Sequence, residues 1–314
     1  MRADRRTLLV AGAAMVAMPR IAAASATETL PVWPGPPPGG SGLTVRDEFV
    51  ARSPTGSPDD IAWPHVATPM LTVTPPAKPN GAAVLLIPGG GYARIALLRG
   101  GSNEARQFAA RGITAFDLRY RLPHDGWAAG ANAPLQDAQR AMRLIRAQAA
   151  RWHIDPARVG AVGFSAGGHL AARLGSRAAL TTYTPIDTID RQSARPLILG
   201  LFFPVISLLE PIAHPQSRRE LLGEHPDEDR ARALSADSGL PPDMPPTYVA
   251  CAANDPAVPP VNSIAMFSAL QAMGIPSELT IWERGGHGFP SPEPDGTQAA
   301  WVDAFLRFAS RHGL

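Results

Sequence analysis

Apolar and polar positions follow two repeating patterns from Gly81 to the end of the chain. Short, continuous apolar runs predict strands at 82–87, 113–119, 159–164, 197–203, 247–251 and 278–282. Amphipathic stretches between them predict helices at 102–111, 134–152, 166–176, 262–273 and 296–312. Apolar strands that alternate with helices are typical of a mostly parallel sheet covered by helices on both faces, so we predict an α/β fold.

Two segments depart from this pattern. Residues 27–79 are rich in proline and glycine and predict a linker followed by edge strands, with possible strands at 43–50 and 70–73. Residues 205–246 are polar, interrupted by prolines and only partly helical. In an open parallel sheet, a long excursion after a strand lies over the ligand crevice. We therefore predict a cap at 205–246, within a catalytic domain that spans 80–314.

The first 26 residues have the composition of an export signal. Arg5 and Arg6 precede an apolar stretch from Leu8 to Met18, and an A-x-A pattern ends the segment. Those eleven apolar positions are too few to cross a bilayer, which takes about 20 residues. The paired arginines favour the export route for folded proteins. We expect a cleaved, periplasmic or secreted protein without stable membrane insertion.

Composition and charge exclude several classes of function. The 314 residues carry a net charge of +2, and removal of residues 1–26 would change it to −1. Because no basic patch stands out, nucleic acid is not an expected partner. Cys251 is the single cysteine in the sequence, which excludes an intramolecular disulfide and a cysteine-based metal site. Neither a nucleotide fingerprint nor a metal-binding His-Glu-x-x-His motif is present, so no cofactor and no metal are expected.

The motif GFSAGGH, residues 163–169, contains the candidate nucleophile. G-x-S-x-G alone is weak evidence, since roughly one chain in ten of this length contains it by chance. Here it follows a predicted strand and precedes a predicted helix, which is the setting of a nucleophile elbow. Such a turn presents the Ser165 hydroxyl above the sheet. It also directs the Ala166 N–H, at the positive end of a helix, toward a reacting carbonyl.

A second oxyanion donor is predicted in the sequence VLLIPGGGY, where a strand runs into glycines 89–91. Glycines let the backbone approach a substrate closely and turn its N–H groups inward. We predict that the amides of Gly90 and Gly91 join Ala166 in an oxyanion hole. The alternative interpretation is a flexible turn.

The predicted general base is His287, which lies in ERGGHGF after the last predicted strand. The predicted acid is Asp255, in NDPAVP after the preceding strand. It is preferred to Asp243, which precedes that strand, and to Asp295, which follows the histidine. The chain order serine, acid, histidine is the one expected when the nucleophile lies in such an elbow of an α/β fold. The acid would orient the imidazole so that its other nitrogen takes the Ser165 proton.

Three other histidines are not expected to act as the general base. His169 lies four residues into the predicted helix and should point away from the serine oxygen, so packing or hydrogen bonding is expected. His214 and His225 lie in the predicted cap, where a solvated surface role is favoured over contact with substrate.

Taken in order, PGGGY, GFSAGGH, NDPAVP and GGHGF resemble the secreted α/β-hydrolase esterases related to acetyl xylan esterases. The stretch FPVISLLEPIAHPQSRRELLGEHPD resembles the corresponding segment of that group. The resemblance covers about residues 80–314. It implies an α/β-hydrolase fold and removal of acetyl groups from xylan or related polysaccharides or oligosaccharides. It also implies Ser165, Asp255 and His287 as a catalytic triad.

Other functions remain open at this point. Lipase-type relatives have a histidine before the three glycines where this chain has Pro88, so the pair of oxyanion donors is not fixed. A general carboxylesterase, or a peptidase or amidase of the prolyl-peptidase type, could use the same fold. A peptidase should need charged anchors for a peptide terminus in the cap. A catalytically inactive carbohydrate-binding homologue is disfavoured by the complete set of serine, acid and histidine. The expected partner is an acylated carbohydrate or small ester.

Overall fold

The computed structural model describes residues 28–289 and 301–314. The predicted export signal, Asp295 and the start of the helix predicted at 296–312 lie outside these residues. Within the two described ranges, none of the helices combines the length and hydrophobicity that a bilayer crossing requires.

Strands and helices alternate through most of the described chain. The strands are β1 (Glu28–Pro31), β2 (Glu48–Ala51), β3 (Asp60–His65), β4 (Met70–Thr74), β5 (Ala83–Ile87), β6 (Ile95–Leu98), β7 (Thr114–Arg119), β8 (Val159–Phe164), β9 (Leu199–Phe202), β10 (Thr247–Ala252) and β11 (Ser277–Trp282). The helices are α1 (Asn103–Ala109), α2 (Ala133–Ala147), α3 (Ala166–Ser176), α4 (Pro215–Leu222), α5 (Glu228–Leu234), α6 (Val261–Ala272) and α7 (Trp301–Ser310).

An eight-stranded sheet with the order β1-β4-β7-β5-β8-β9-β10-β11 forms the centre of the fold. The strands from β7 to β11 in that order pair in parallel, whereas β1 and β4 are antiparallel additions at one edge. Strands β5, β9 and β10 are buried along their whole length, because hydrophobic clusters cover both faces of the sheet. This is the α/β-hydrolase arrangement, and the predicted fold class is confirmed.

Parallel pairing brings the carboxyl ends of the strands to one edge of the sheet. Ile87 at the end of β5 is paired with Gly163 in β8, and Ala252 at the end of β10 is paired with Trp282 in β11. The glycine loop, the GFSAGGH turn and the loops of Asp255 and His287 therefore all begin at the same edge.

The segment 28–79 contains more strands than its sequence predicted. Strands β1 and β3 were not predicted, and the possible strand at 43–50 is wrong over its first five residues, since β2 begins only at Glu48. Strands β2 and β3 join β6, which follows the glycine loop, in a separate three-stranded sheet. Strands β1 and β3 escaped prediction because β1 has only four residues and β3 is interrupted by Pro64.

The predicted cap is a well-defined excursion between β9 and β10. It carries α4 and α5 and is polar on its outer surface. Its first helix lies against the turn at 123–125, where His124 Nδ1 is 3.0 Å from Glu220 Oε2. The helix predicted at 134–152 is divided, since α2 ends at Ala147 and a tighter turn follows at Ala149–Trp152.

A buried ion pair fixes the N-terminal segment to the body of the protein. Asp137 on α2 accepts hydrogen bonds from Trp33 Nε1 at 2.7 Å and from the Arg121 backbone N–H at 2.8 Å. Arg121 Nε also lies 3.0 Å from the same carboxylate, and Arg121 Nη1 donates to the Pro38 carbonyl at 2.6 Å. Both charged side chains are fully buried, so each depends on the other for compensation.

Substitution of Asp137 by alanine should destabilise the protein by about 3–5 kcal/mol, because it leaves the Arg121 guanidinium buried without a counter-charge. Asp243→Ala is a matched control, since the Asp243 side chain is 73% exposed; it should change stability by at most about 0.5 kcal/mol. Urea unfolding followed by tryptophan fluorescence measures both. Equal effects of the two substitutions would show that the buried pair contributes no special stability.

Candidate active site

The backbone of Ser165 is strained. It lies between β8 and α3 with φ 55° and ψ −123°, a conformation that non-glycine residues rarely adopt. Two glycines allow the turn to close this tightly. A Cβ on Gly163 would lie 2.2 Å from the Gly167 carbonyl oxygen, and one on Gly167 would lie 2.1 Å from the Ile87 oxygen. The predicted nucleophile elbow is therefore the geometry observed.

The structure brings Ser165, His287 and Asp255 into one hydrogen-bonded chain. His287 Nε2 lies 2.8 Å from Ser165 Oγ, and His287 Nδ1 lies 2.8 Å from Asp255 Oδ2. A carboxylate can only accept, so the Nδ1–H donates to Asp255, and in the neutral imidazole Nε2 is then the nitrogen that can accept from the Ser165 hydroxyl. This arrangement can remove a proton from the serine as it attacks a carbonyl.

Asp255 is held as an anion at the buried end of this chain. Burial raises its pKa, but hydrogen bonds from His287 and from the N–H groups of Val258 and Ala257 outweigh burial and leave the pKa below its usual value. Those two backbone donors lie 3.0 and 2.8 Å from Oδ1. The carboxylate can therefore stabilise an imidazolium that forms on His287.

Asn254 supports the histidine loop, a role that the sequence did not indicate. Its Oδ1 accepts from the N–H groups of Gly285 and Gly286 at 3.0 and 2.9 Å. Asn254 adjoins Asp255 and the two glycines precede His287, so this clamp sets the separation of acid and base. In the sequence, Asn254 is distinguished by its position next to Asp255, which does not indicate that it binds the N–H groups of Gly285 and Gly286.

The glycine loop lies against the serine. A Cβ on Gly89 would be 2.9 Å from Ser165 Cβ, so Gly89 makes a closer approach than the sequence suggested. Gly90 and Gly91 have φ values of 134° and 66°, which favour glycine. The assignment of their amides, with that of Ala166, to an oxyanion hole stays a prediction.

Helix α4 of the cap rests on this loop. A Cβ on Gly91 would lie 2.8 Å from Gln216 Oε1. His214, whose Nδ1 accepts from the Ser217 N–H at 3.2 Å, caps the start of the helix. Burial lowers the pKa of His214, and the nearby His287 lowers it further. His214 is thus half-buried beside the site, whereas His225 is exposed.

His169 connects three parts of the structure, in line with the hydrogen-bonding role expected for it. Its Nε2 lies 2.8 Å from the Leu234 carbonyl, so Nε2 carries the proton, and Nδ1 accepts from the Tyr92 hydroxyl at 2.9 Å. Tyr92 ends the glycine loop with φ 61°. Burial lowers the pKa of His169 to about 3, with a smaller contribution from Arg173. The link joins the loop, α3 and the cap.

The neutral state of His169 should make stability depend on pH. The unfolded chain takes up a proton at about pH 6.5, whereas the folded chain does so only near pH 3. The free energy of unfolding should therefore fall as pH decreases through this window and stay unaffected above it, with a loss of about 2 kcal/mol at pH 5.

Urea unfolding at pH 7.5 and pH 5 tests this effect. His169→Gln keeps one donor and one acceptor without a titrating group, so it should lose about 2 kcal/mol less on acidification than the wild type. His225→Gln, at an exposed position, is the control and should lose as much as the wild type. Identical pH dependence in His169→Gln and the wild type would contradict the assignment.

A separate histidine cluster has the composition of a metal site. The ligand atoms of His65, His124 and Asp125 all lie within 4.8 Å of one another. These atoms already have protein partners: His65 Nδ1 lies 2.6 Å from Asp125 Oδ1, and the two His124 nitrogens contact the Pro64 carbonyl and Glu220. The cluster joins β3 to the cap and makes no direct contact with the serine hydroxyl.

The sequence of this chain matches one family model and is similar to two curated proteins. The BD-FAE family model matches residues 72–270. An acetylxylan esterase of Xylanibacter ruminicola is 32% identical over 218 residues, which cover 68% of this chain and 42% of that protein. Endo-1,4-β-xylanase B of Butyrivibrio fibrisolvens is 32% identical over 205 residues, covering 65% of this chain and 32% of that protein. The chain thus matches less than half the length of either relative.

Solved structures of esterases are similar to this chain over most of its length. An acetyl ester-xyloside bifunctional hydrolase from Caldicellulosiruptor lactoaceticus has a TM-score of 0.68 and 30% identity, with 90% of this chain and 94% of that chain covered. A carboxylesterase from Lactobacillus plantarum has a TM-score of 0.62 and 21% identity, with 86% and 98% covered, and supports the fold alone.

Proposed function

Because the chain belongs to the BD-FAE family of α/β-hydrolases, we propose that it is a serine esterase that removes acetyl groups from xylan or related plant polysaccharides or oligosaccharides. The observation that carries the proposal is the hydrogen-bonded chain from Ser165 through His287 to Asp255, at a strained turn beside a glycine loop.

The mechanism follows from the protonation states of that chain. His287 Nε2 takes the proton as Ser165 Oγ attacks the ester carbonyl, and Asp255 stabilises the resulting imidazolium. Backbone amides beside the serine hold the oxyanion. The C–O bond to the sugar then breaks, and His287 gives the proton to the departing sugar oxygen, which leaves as the alcohol. Water repeats the sequence on the acyl-enzyme and releases acetate.

The names of the relatives support the acetyl and xylan parts of the proposal, since one is an acetylxylan esterase and another is an acetyl ester-xyloside hydrolase. A general carboxylesterase and a prolyl-peptidase-like amidase share the mechanism. Acetylated xylan, 4-nitrophenyl butyrate and a dipeptide anilide, assayed under identical conditions, separate the three. Preferred cleavage of the anilide would overturn the esterase proposal.

Ser165→Ala should fold normally and lower kcat on 4-nitrophenyl acetate by a factor on the order of 10⁴ or more, because it removes the oxygen that forms the acyl-enzyme. It should also abolish labelling by a fluorophosphonate probe. Ser310→Ala, at the exposed end of α7, is the control and should keep full activity and labelling. An unchanged rate in Ser165→Ala would remove the serine from the mechanism.

Export is proposed from the sequence of residues 1–26, which lie outside the described structure. Replacement of Arg5 and Arg6 by lysine should retain the protein in the cytoplasm if the route for folded proteins is used. Fractionation of cells that express the full chain measures this. Normal export of the double variant would contradict the assignment to that route.

A further inference from the structure

A cavity of about 670 Å³ opens beside the nucleophile and is lined by residues of both sheets. Phe164, Phe203 and Phe289 line it on the side of the eight-stranded sheet. Arg52, Asp59, Asp60, Ala96, Leu97 and Leu98 line it on the side of the three-stranded sheet, and residues 100–104 together with Arg106 also line it. The N-terminal segment, which no sequence motif covers, therefore forms one wall of a cavity at the site.

The cavity is lined by direct neighbours of the residues that would do the chemistry. Phe164 directly precedes Ser165, and Gly89, also in the lining, approaches Ser165 so closely that an added Cβ would lie 2.9 Å from Ser165 Cβ. The Phe203 ring lies 5.1 Å from the His287 ring, centroid to centroid. An ester whose carbonyl is at Ser165 can thus extend one of its two substituents into the cavity.

The size of the cavity indicates which substituent it takes. An acetyl group has only three heavy atoms and would leave most of this space empty. A pyranose unit with its neighbours in an oligosaccharide is comparable with the available volume. The alcohol part of an acetyl ester therefore fits the cavity better than its acyl part.

The lining is also suited to sugars. The rings of Phe164, Phe203 and Phe289 pack together with centroid separations of 5.3–6.1 Å and offer an apolar surface to the C–H face of a pyranose. Arg52 Nη1 and Asp60 Oδ1 are paired at 3.0 Å, with side chains 49% and 30% exposed, and offer both donors and acceptors to hydroxyl groups.

Carboxylates outnumber guanidinium groups in the lining. The lining contains the carboxyl groups of Asp59, Asp60, Glu104 and Asp117 and the guanidinium groups of Arg52 and Arg106. Arg106 is engaged with Asn103 and the Gly101 carbonyl, and Asp59 lies 3.9 Å from Arg99, which is outside the lining. Burial raises the pKa of Asp117 to about 6, against hydrogen bonds from Ser102. Without Asp117, the three remaining carboxylates still outnumber the two guanidinium groups of the lining. A net negative lining disfavours an anionic ligand.

From these observations we infer that the cavity binds the neutral sugar unit that carries the acetyl ester, and that Arg52 and Asp60 of the N-terminal segment are specificity-determining residues. The inference rests on the proposed esterase function. It assigns the segment 28–79 a part in substrate selection, with neutral xylose units preferred to units substituted with uronic acid.

The double variant Arg52→Gln, Asp60→Asn tests the inference, because it removes both charges. Asp60→Asn keeps the size of the side chain, and Arg52→Gln shortens it but keeps an N–H donor. The expected result is a fall of about tenfold in kcat/KM for acetylated xylotriose, with the value for 4-nitrophenyl acetate within about twofold of wild type. The matched control is Arg311→Gln, Glu278→Gln, a pair at 2.9 Å with similar exposure on another surface. It should leave both substrates unchanged, and thermal unfolding verifies that each variant is folded.

A second measurement addresses charge. The wild type should have a higher kcat/KM for acetylated xylotriose than for the same oligosaccharide bearing a glucuronic acid. The double variant Glu104→Gln, Asp59→Asn should reduce the ratio of these two kcat/KM values. Equal kcat/KM for the two oligosaccharides in the wild type would contradict the charge argument.

The outcomes separate the inference from the proposed function. Absence of hydrolysis of both acetyl esters by the wild type would overturn the esterase proposal. An equal loss on 4-nitrophenyl acetate and acetylated xylotriose in the Arg52–Asp60 variant would overturn the inference alone, since it would place these residues in support of the catalytic groups. A changed preference for acyl length, without a change toward xylotriose, would show that the cavity holds the acyl part.

Discussion

The tight turn at Ser165 is the constraint on which the rest of the site depends. A positive φ at a non-glycine residue costs about 1–3 kcal/mol and persists only where the surroundings enforce it. Here the enforcement comes from β8 at the centre of the sheet and from the close contact of Gly167 with the carbonyl of Ile87 on β5. The same contact brings the end of β5, and the glycine loop after it, against the serine.

The remaining groups reach the serine because parallel strands end at one edge of the sheet. His287 is 122 residues from Ser165 in sequence, yet their side chains are 2.8 Å apart. Two polar clamps fix the loops at this edge: Asn254 holds the histidine loop, and His169 holds Tyr92 at the end of the glycine loop. The His169 clamp also satisfies buried polar atoms, whereas the Asn254 clamp is exposed. Each clamp orients a reacting group or its neighbour through hydrogen bonds that also hold the fold together.

The buried parts of the fold could be predicted from the sequence because each corresponds to a pattern among neighbouring residues. The central strands are continuous apolar runs, and the elbow shows its glycines and the helix that follows. The clamp by Asn254, the partners of His169 and the close approach of Gly89 could not be predicted, because each depends on contacts between distant residues. The three-stranded sheet was missed for a different reason: its strands are short and partly exposed, and packing against the body determines their structure more than their own sequence does.

The docking of residues 28–79 connects this unpredicted sheet to the site. A segment held only by exposed contacts would move relative to the serine, and its side chains could not discriminate between substrates. The buried carboxylate of Asp137 instead ties Trp33 and Arg121 to α2, and β1 and β4 extend the main sheet itself. Strand β3 is attached on both sides, by β4 in sequence and by β6 through hydrogen bonds, and β2 pairs with β3. Arg52 and Asp60 are therefore held at a fixed position on the cavity wall, as a specificity-determining pair requires.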